Sequence, residues 1–230
     1  MSDGSFVTTS TRDRVRGLAN PIALALGRLG LTPNALTVLG FLGTGVAALA
    51  AALQFWLVAG VLVLAFGIFD LFDGALARAT GRASKFGAFL DSTLDRTGEN
   101  LVYAGIVIGA AWVHAYPVAF LAALAMAFAS VVTYARAKAE VIGLKGDIGV
   151  APRAERLVLL ALGLVVAGLL GGVQPLEMFG RNEGLGSSVD ATGTLVLSAA
   201  LLIIAVLSAI TILQRILAVR HQLNQKHDNS

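Results

Sequence analysis

Long apolar stretches separated by short polar segments dominate the pattern of this chain. Six of them have about the 20 residues that a helix needs to cross a bilayer. They lie at about residues 35–53, 56–79, 98–115, 117–140, 154–173 and 190–215. We therefore expect a single membrane domain over residues 1–230, built on a six-helix bundle between about residues 35 and 215.

The residues before the first apolar stretch follow a different pattern. Residues 11–29 mix arginines with apolar residues, and they are too short and too charged to span a membrane. Such a segment is typical of a helix that lies in the membrane interface near anionic headgroups. The sequence thus predicts an all-α integral membrane protein with six transmembrane helices and an N-terminal interfacial amphipathic helix.

The composition agrees with this fold class. Hydrophobic residues make up 57% of the 230 positions and the mean hydropathy is +0.80, whereas soluble domains carry about 45–50% apolar residues. The absence of cysteine excludes disulfides and thiolate metal sites. The net charge of +3 is modest. In a membrane protein we expect membrane lipids as partners, and we expect no nucleic acid.

The basic residues are distributed unevenly between the two ends of the predicted helices. An even number of spans places both termini on one side of the membrane. Of the 17 Lys and Arg residues, only Arg181 then falls on the other side. Because Lys and Arg are enriched in cytoplasmic loops, we expect both termini to be cytoplasmic, in a multi-pass protein of the cell (plasma) membrane.

Four aspartates are unusual in a chain with only 13% charged residues. Asp70 and Asp73 end the second apolar stretch, and Asp91 and Asp95 precede the third. On helices each pair lies on one face, one turn apart. Such carboxylates repel one another, and insertion scales put the cost of each at roughly 2.5–3.5 kcal/mol at mid-membrane. A bound divalent cation is the simplest compensation, at a cytoplasmic site.

The residue types around the aspartates indicate phosphate chemistry. Carboxylate ligands favour hard cations such as Mg²⁺ or Mn²⁺, and two such ions can clamp a phosphoryl group during a displacement. Gly74 leaves the helix backbone open to a substrate, and Arg78 can donate a fork of hydrogen bonds to phosphate.

A divalent-cation transporter is the main alternative from another class of protein, since acidic clusters in membranes also line ion paths. A path would need polar groups along several spans. Here the acids gather at one end of the predicted helices, and Arg78 beside them opposes cation passage. The pattern therefore favours an enzyme.

One spacing pattern joins these residues. It reads Asp70-x2-Asp73-Gly74-x2-Ala77-Arg78-x8-Gly87-x3-Asp91-x3-Asp95. This pattern resembles the full defining motif of the CDP-alcohol phosphotransferases, and the six-span layout with an interfacial helix resembles that family as well. The resemblance implies an enzyme that displaces CMP from a CDP-lipid with an alcohol, and it implies a homodimer.

The resemblance also implies roles for single residues. Two Mg²⁺ or Mn²⁺ ions per active site would be held by Asp70, Asp73, Asp91 and Asp95. Asp95 also matches the general base that deprotonates the attacking hydroxyl. The CDP-lipid would contact Asn34, Thr37, Asp73, Gly74, Arg78 and Ser84.

A second basic cluster surrounds the loop after the fourth apolar stretch. Arg153 and Arg156 share one face of a predicted helix start, where two arginines are unfavourable unless an anion binds among them. Positive-inside flanking alone is the other interpretation of these residues. The runs Tyr134-Ala-Arg136-Ala-Lys138-Ala-Glu140 and Arg153-Ala-Glu155-Arg156-Leu157 resemble the phosphatidylinositol phosphate synthases of actinobacteria.

That second resemblance implies the two substrates. They are CDP-diacylglycerol as donor and myo-inositol phosphate as acceptor, and the products are phosphatidylinositol phosphate and CMP. The acceptor's phosphate would be held by Thr133, Arg136, Lys138, Arg153 and Arg156. The alternative acceptor is glycerol 3-phosphate, as in phosphatidylglycerophosphate synthases, but the Gly-Lys-x-Lys-Thr run usual after their fourth span is missing here.

Overall fold

The structure is a computed structural model that describes residues 21–170 and 191–228. Within these ranges the chain forms helices and no β-strand. The helices are α1 (residues 21–28), α2 (Pro33–Ala52), α3 (Trp56–Ala79), α4 (Lys85–Trp112), α5 (Tyr116–Val141), α6 (Arg153–Leu169) and α7 (Ala191–Asp228). The predicted all-α class is confirmed.

Four helices in the described ranges are long and apolar enough to cross a membrane. They are Pro33–Ala52, Trp56–Ala79, Tyr116–Val141 and Thr192–Gln225. The first half of α4 is too charged to qualify, and α6 has only 17 residues, about 25 Å at 1.5 Å per residue. The structure thus supports a helical membrane protein, and the six-span count remains a prediction.

Two predicted spans are parts of longer helices. The span at 98–115 belongs to a helix that already begins at Lys85, and the span at 190–215 continues to Asp228. Of the predicted interfacial helix at 11–29, residues 21–28 are helical. Residues 11–20 and Arg181, on which the charge argument partly depends, lie outside the described residues.

The six long helices form a closed ring. Contacts between neighbours run in the order α2, α3, α6, α7, α5, α4 and back to α2. This order places α2 between α3 and α4, the two helices that carry the aspartates. It also places α6, which begins with Arg153, beside α3.

Small residues let the helices of this ring approach closely. The buried core consists largely of Ala, with Leu, Val and Ile between them. Gly105 on α4 faces the backbone of Ala48 on α2, and Gly60 on α3 faces the backbone of Ala161 on α6. Close backbone approach of this kind is how membrane helices associate where lipid removes the hydrophobic driving force.

Gly105→Ala should destabilise the fold. The added Cβ would lie 2.2 Å from the Ala48 carbonyl oxygen, and overpacking of this kind costs about 1–3 kcal/mol. We expect a lower unfolding temperature in detergent. The matched control is Gly45→Ala, where no atom lies within 4 Å of the new Cβ and alanine favours the helix by about 1 kcal/mol. Equal unfolding temperatures would contradict the packing of α2 against α4.

Side chains of α7 hold the segment that joins α5 to α6. The side chain of Gln222 forms two hydrogen bonds with the main chain of Lys145. Its Oε1 accepts from the Lys145 N–H at 3.0 Å, and its Nε2 donates to the Lys145 carbonyl at 2.9 Å. The Ala151 N–H donates to Thr211 Oγ1 at 3.1 Å. Arg215 Nε donates to another main-chain carbonyl of the segment at 2.8 Å. The chain therefore enters α6 along a fixed path.

Candidate active site

Acidic side chains from α3 and α4 meet beside the start of α2. Asp73 Oδ2 accepts a hydrogen bond from the hydroxyl of Thr37 at 2.6 Å. Asp70 and Asp95 are joined through Arg153 of α6, whose Nη1 lies 2.8 Å from Asp70 Oδ2 and 2.5 Å from Asp95 Oδ2. Four helices thus contribute to one polar cluster at this end of the ring.

The carboxyl groups of Asp91 and Asp95 precede the apolar part of α4 and are partly buried. Burial, followed by the charge of Asp70, raises the pKa of Asp91, and Arg153 opposes this shift. Burial also raises the pKa of Asp95 to about 8, again opposed by Arg153. Adjacent positive charge favours the ionised form of such groups, so this cluster is a place where a cation is strongly favoured.

The donors of the cluster suit a divalent cation. The four aspartates offer only carboxylate oxygens, which Mg²⁺ and Mn²⁺ prefer. Within residues 21–170 and 191–228, no three acidic or histidine side chains stand in an arrangement that could hold a metal ion as they are. The Arg153 guanidinium supplies the positive charge between Asp70 and Asp95 instead. Metal binding therefore requires side chains to move, and it stays a prediction that the donor chemistry supports.

A pocket of ≈ 180 Å³ lies next to the carboxylates, between the start of α2, the end of α3 and the start of α4. Every residue predicted to contact the CDP-lipid lines it, namely Asn34, Thr37, Asp73, Gly74, Arg78 and Ser84. Asp91 and Arg82 line it as well. The pocket and the carboxylate cluster are therefore one continuous site, and Arg82 adds a positive charge that the motif does not include.

Glycines widen this pocket. A Cβ on Gly87 would lie 3.1 Å from Asn34 Oδ1 and from Ser84 Oγ. A Cβ on Gly74 would lie 3.2 Å from Nη1 of Arg78. The Arg78 guanidinium thus folds back across the bare backbone of Gly74, where its planar donors are available to an anion. Ser84 also caps α4, since its Oγ accepts from the Gly87 N–H at 2.9 Å.

The residues predicted to bind the acceptor lie in two places. Arg153 is in the carboxylate cluster, whereas Thr133, Arg136 and Lys138 are on α5. Arg136 and Lys138 are exposed, and Arg136 Nε pairs with Glu140 Oε1 at 2.8 Å. The hydroxyl of Thr133 donates to a main-chain carbonyl one turn earlier in α5. In the ring α7 lies between α5 and α6, so the two groups belong to helices that are not neighbours.

Arg156 has a different partner from the one predicted. Its side chain is 1% exposed and forms two parallel hydrogen bonds with Glu99 of α4, Nε to Oε1 at 3.0 Å and Nη2 to Oε2 at 3.1 Å. Its Nη1 donates to the Ala151 carbonyl at 2.9 Å. A guanidinium so buried and paired does not face a substrate, which corrects the prediction that Arg156 grips the acceptor's phosphate.

Sequence reasoning misses Glu99 and Arg215. Glu99 follows Asp95 by four residues and so shares a face of α4 with it, a signal that was available. Arg215 is buried at 6% exposure and donates to the main-chain carbonyls of Ile148 and Val132. For an arginine at the end of an apolar stretch, the charge pattern alone indicates only topology.

Comparison with protein families identifies the fold and the motif. The sequence model described as CDP-alcohol phosphatidyltransferase matches residues 30–219. The chain belongs to the CDP-alcohol phosphatidyltransferase family. The family predicted from the aspartate motif is thereby confirmed, and this phosphatidyltransferase is an enzyme of phospholipid biosynthesis from a family that uses divalent metals.

Two named relatives resemble this phosphatidyltransferase over most of their length. It is 35% identical over 214 residues to the phosphatidylinositol phosphate synthase of Mycobacteroides abscessus, with 91% of this chain and 87% of the relative covered. It is 40% identical over 151 residues to the archaetidylinositol phosphate synthase of Pyrococcus horikoshii, with 65% and 77% covered.

Solved structures of the Mycobacterium tuberculosis phosphatidylinositol phosphate synthase have the same fold. The crystal structure with CDP-DAG bound has a TM-score of 0.72 at 32% identity and covers 87% of this chain and 92% of that chain. The crystal structure with manganese and citrate has a TM-score of 0.73 at 31% identity, with 87% and 88% covered. The helical arrangement of this phosphatidyltransferase is thus that of a solved enzyme.

Proposed function

We propose that this phosphatidyltransferase transfers the phosphatidyl group of CDP-diacylglycerol to myo-inositol phosphate, giving phosphatidylinositol phosphate and CMP. The observation that carries the proposal is the position of Arg153, an anion-binding side chain in contact with Asp70 and Asp95 beside the pocket of the CDP-lipid residues. A phosphorylated acceptor needs a cation next to the reacting carboxylates. The phosphatidylinositol phosphate synthases among the relatives support the same acceptor.

The pocket between α2, α3 and α4 suits the cytidine diphosphate end of the donor. Arg78 supplies hydrogen-bond donors for phosphate oxygens. Gly74 leaves the backbone accessible, and Asn34, Thr37 and Ser84 bring polar groups for the nucleotide. The related structure with CDP-DAG bound supports this donor.

Two divalent ions, Mg²⁺ or Mn²⁺, are proposed for the carboxylate cluster. They would be held by Asp70, Asp73, Asp91 and Asp95. The carboxylate-only donor set and the manganese in a related structure support this proposal. When bound, such ions neutralise charge on the diphosphate and make CMP a better leaving group.

Asp95 is proposed as the general base. It accepts the proton of the attacking inositol hydroxyl while the hydroxyl oxygen forms a bond to the phosphorus that carries diacylglycerol. The bond from this phosphorus to the bridging oxygen breaks, and CMP leaves with both electrons of that bond. Because Arg153 lies 2.5 Å from Asp95, an acceptor phosphate bound by Arg153 brings its hydroxyls close to the base.

The acceptor side is completed by Thr133, Arg136 and Lys138 of α5. The Arg136–Glu140 pair is about half exposed on both sides, and such surface pairs are weak, so Arg136 can turn to a phosphate at little cost. The buried Nε–H of Arg153 has no hydrogen-bond partner in the described part of the chain, which leaves one donor for a ligand. Arg156 does not contact the acceptor in this proposal.

The acceptor can be tested by CMP release from CDP-diacylglycerol with Mn²⁺ in detergent. We expect release with myo-inositol phosphate and a much lower kcat/KM with glycerol 3-phosphate. Free myo-inositol lacks the group that the arginines bind, and its kcat/KM should be lower by roughly 10²-fold or more. Turnover with glycerol 3-phosphate but not inositol phosphate would replace the acceptor, and release with neither would contradict the proposed transfer.

We further propose the arrangement of this enzyme in the plasma membrane. All six long helices span the bilayer, residues 21–28 belong to the interfacial helix, and both termini and the active site face the cytoplasm. The enzyme is a homodimer. The one-sided distribution of Lys and Arg supports this orientation.

The homodimer can be tested by mass. We expect the protein part of the detergent complex to have twice the mass of 23.7 kDa, and a single-chain mass would contradict the homodimer.

Single cysteines can test the orientation because the chain contains none. His114 lies exposed in the turn between α4 and α5, and Lys145 lies exposed in the segment between α5 and α6. A membrane-impermeant maleimide should label His114→Cys in intact cells and Lys145→Cys only after the membrane is opened. The reverse result would invert the proposed orientation.

A further inference from the structure

The geometry points to Glu99 and Arg156 as positioning residues for acceptor binding. We propose that their buried ion pair holds the start of α6 so that Arg153 is directed at the reacting carboxylates. This inference rests on the proposed function, in which Arg153 binds the acceptor's phosphate. Neither Glu99 nor Arg156 touches the substrate in this scheme.

The ion pair crosses the interior of the helix ring. Glu99 is 4% exposed and Arg156 is 1% exposed, and their helices, α4 and α6, are not neighbours in the ring. A buried ion pair contributes little net stability compared with apolar side chains of the same size. Its two parallel hydrogen bonds do fix the plane and direction of the guanidinium. A geometric role therefore explains this pair better than a stabilising one.

The same guanidinium is tied to the main chain just before α6. Arg156 Nη1 donates to the carbonyl of Ala151 at 2.9 Å, and the N–H of Ala151 donates to Thr211 of α7 at 3.1 Å. The N-cap position of α6, Pro152, makes no side-chain capping bond. Arg156 and Thr211 thus both hold Ala151, which lies two residues before Arg153. These two bonds fix the start of the helix.

The two arginines and two acids form a ladder between α6 and α4. Arg153 pairs with Asp95, and one turn deeper Arg156 pairs with Glu99. The Arg156–Glu99 pair is buried, whereas the side chains of Arg153 and Asp95 are 28% and 15% exposed. A change in the Arg156–Glu99 pair should therefore shift Arg153 relative to Asp95. It should weaken acceptor binding without affecting the donor pocket.

Arg156→Lys tests this inference because it keeps a positive charge opposite Glu99 but removes the fork and the bond to Ala151. We expect the KM for myo-inositol phosphate to rise about tenfold, the loss of one hydrogen bond from a charged group. The KM for CDP-diacylglycerol should stay within about twofold of wild type, since the donor pocket is untouched. Arg220→Lys, at an exposed position of α7, is the matched control and should change neither constant.

An unchanged KM for inositol phosphate, or an equal rise in both KM values, would overturn the positioning role. Should Arg156→Lys fail to fold, Glu99→Asp keeps both charges while shortening one arm of the pair, and it carries the same expectation. Wild-type enzyme that does not use inositol phosphate would refute the acceptor assignment. Wild-type enzyme that uses it, with a normal acceptor KM in the variants, would refute this inference alone.

Hydrogen exchange gives a readout that needs no turnover. In Arg156→Lys the backbone amides of residues 144–151 and of Arg153 should exchange faster than in wild type, because the anchor at Ala151 is lost. The Arg220→Lys control should exchange like wild type. Unchanged protection of the segment in Arg156→Lys would overturn the inference whatever the acceptor is.

Discussion

Asp95→Asn should leave the enzyme folded and able to bind CDP-diacylglycerol and Mn²⁺, while kcat falls by roughly 10²–10⁴-fold, the usual contribution of a general base. The amide has the shape of the carboxyl group but cannot take a proton from the attacking hydroxyl. Its oxygen still accepts a hydrogen bond from Arg153, which is also held by Asp70 at 2.8 Å. The site geometry is therefore kept while the proton acceptor is lost.

Three measurements separate the role of Asp95 in proton transfer from its other roles. CMP release gives kcat, electron paramagnetic resonance of Mn²⁺ gives metal binding, and the shift in unfolding temperature with CDP-diacylglycerol gives donor binding. Turnover near the wild-type rate would move the base to another of the four aspartates. Loss of donor or metal binding together with turnover would make Asp95 chiefly a ligand.

Arg156→Ala should destabilise the protein by about 3–5 kcal/mol, the usual effect of removing one partner of a buried ion pair. The substitution leaves the carboxylate of Glu99, only 4% exposed, without its counter-ion, and it removes the bond to the Ala151 carbonyl. Thermal unfolding in detergent should show a much lower transition temperature than for wild type. A transition within 1–2 °C of wild type, on the order of a surface substitution, would contradict the burial of this pair.

Arg153→Ala is the matched control, one turn away on the same helix. Arg153 is partly exposed and its partners belong to the site, so we expect little loss of stability. Its effect should instead be on the KM for inositol phosphate, which loses a charge-assisted contact and should rise by about tenfold or more. An unstable Arg153→Ala beside a stable Arg156→Ala would reverse the roles assigned to the two arginines.

The sequence alone is most informative where local spacing carries the chemistry. The i,i+3 and i,i+4 spacings of the aspartates predict two acidic helix faces, and the structure brings Asp70 of α3 and Asp95 of α4 to the same guanidinium. The motif resemblance also groups Asn34 with Ser84, residues 50 positions apart that line one pocket. The motif was sufficient to predict the family because its residue types, at this spacing, all serve the binding of metal and phosphate.

The hydropathy pattern does not show where the helices begin and end. The apolar pattern begins near residue 98, yet α4 begins at Lys85, after the capping serine Ser84. Likewise α7 continues to Asp228, well beyond the apolar stretch that ends near 215. A cap and local helix propensity extend a helix into polar sequence, and an apolar window does not detect them.

Residue pattern and composition were enough to establish a helical membrane protein, its family and the cluster of acidic residues, because these depend on local spacing and hydrophobicity. They could not distinguish Arg153 from Arg156, which share residue type, helix face and position at a helix start. The folded ring assigns one to the reacting carboxylates and buries the other against Glu99. That difference depends on which turn of α6 lies next to the site and which turn lies in the buried interior opposite α4. Because α4 and α6 are far apart along the chain, only the tertiary structure brings them together.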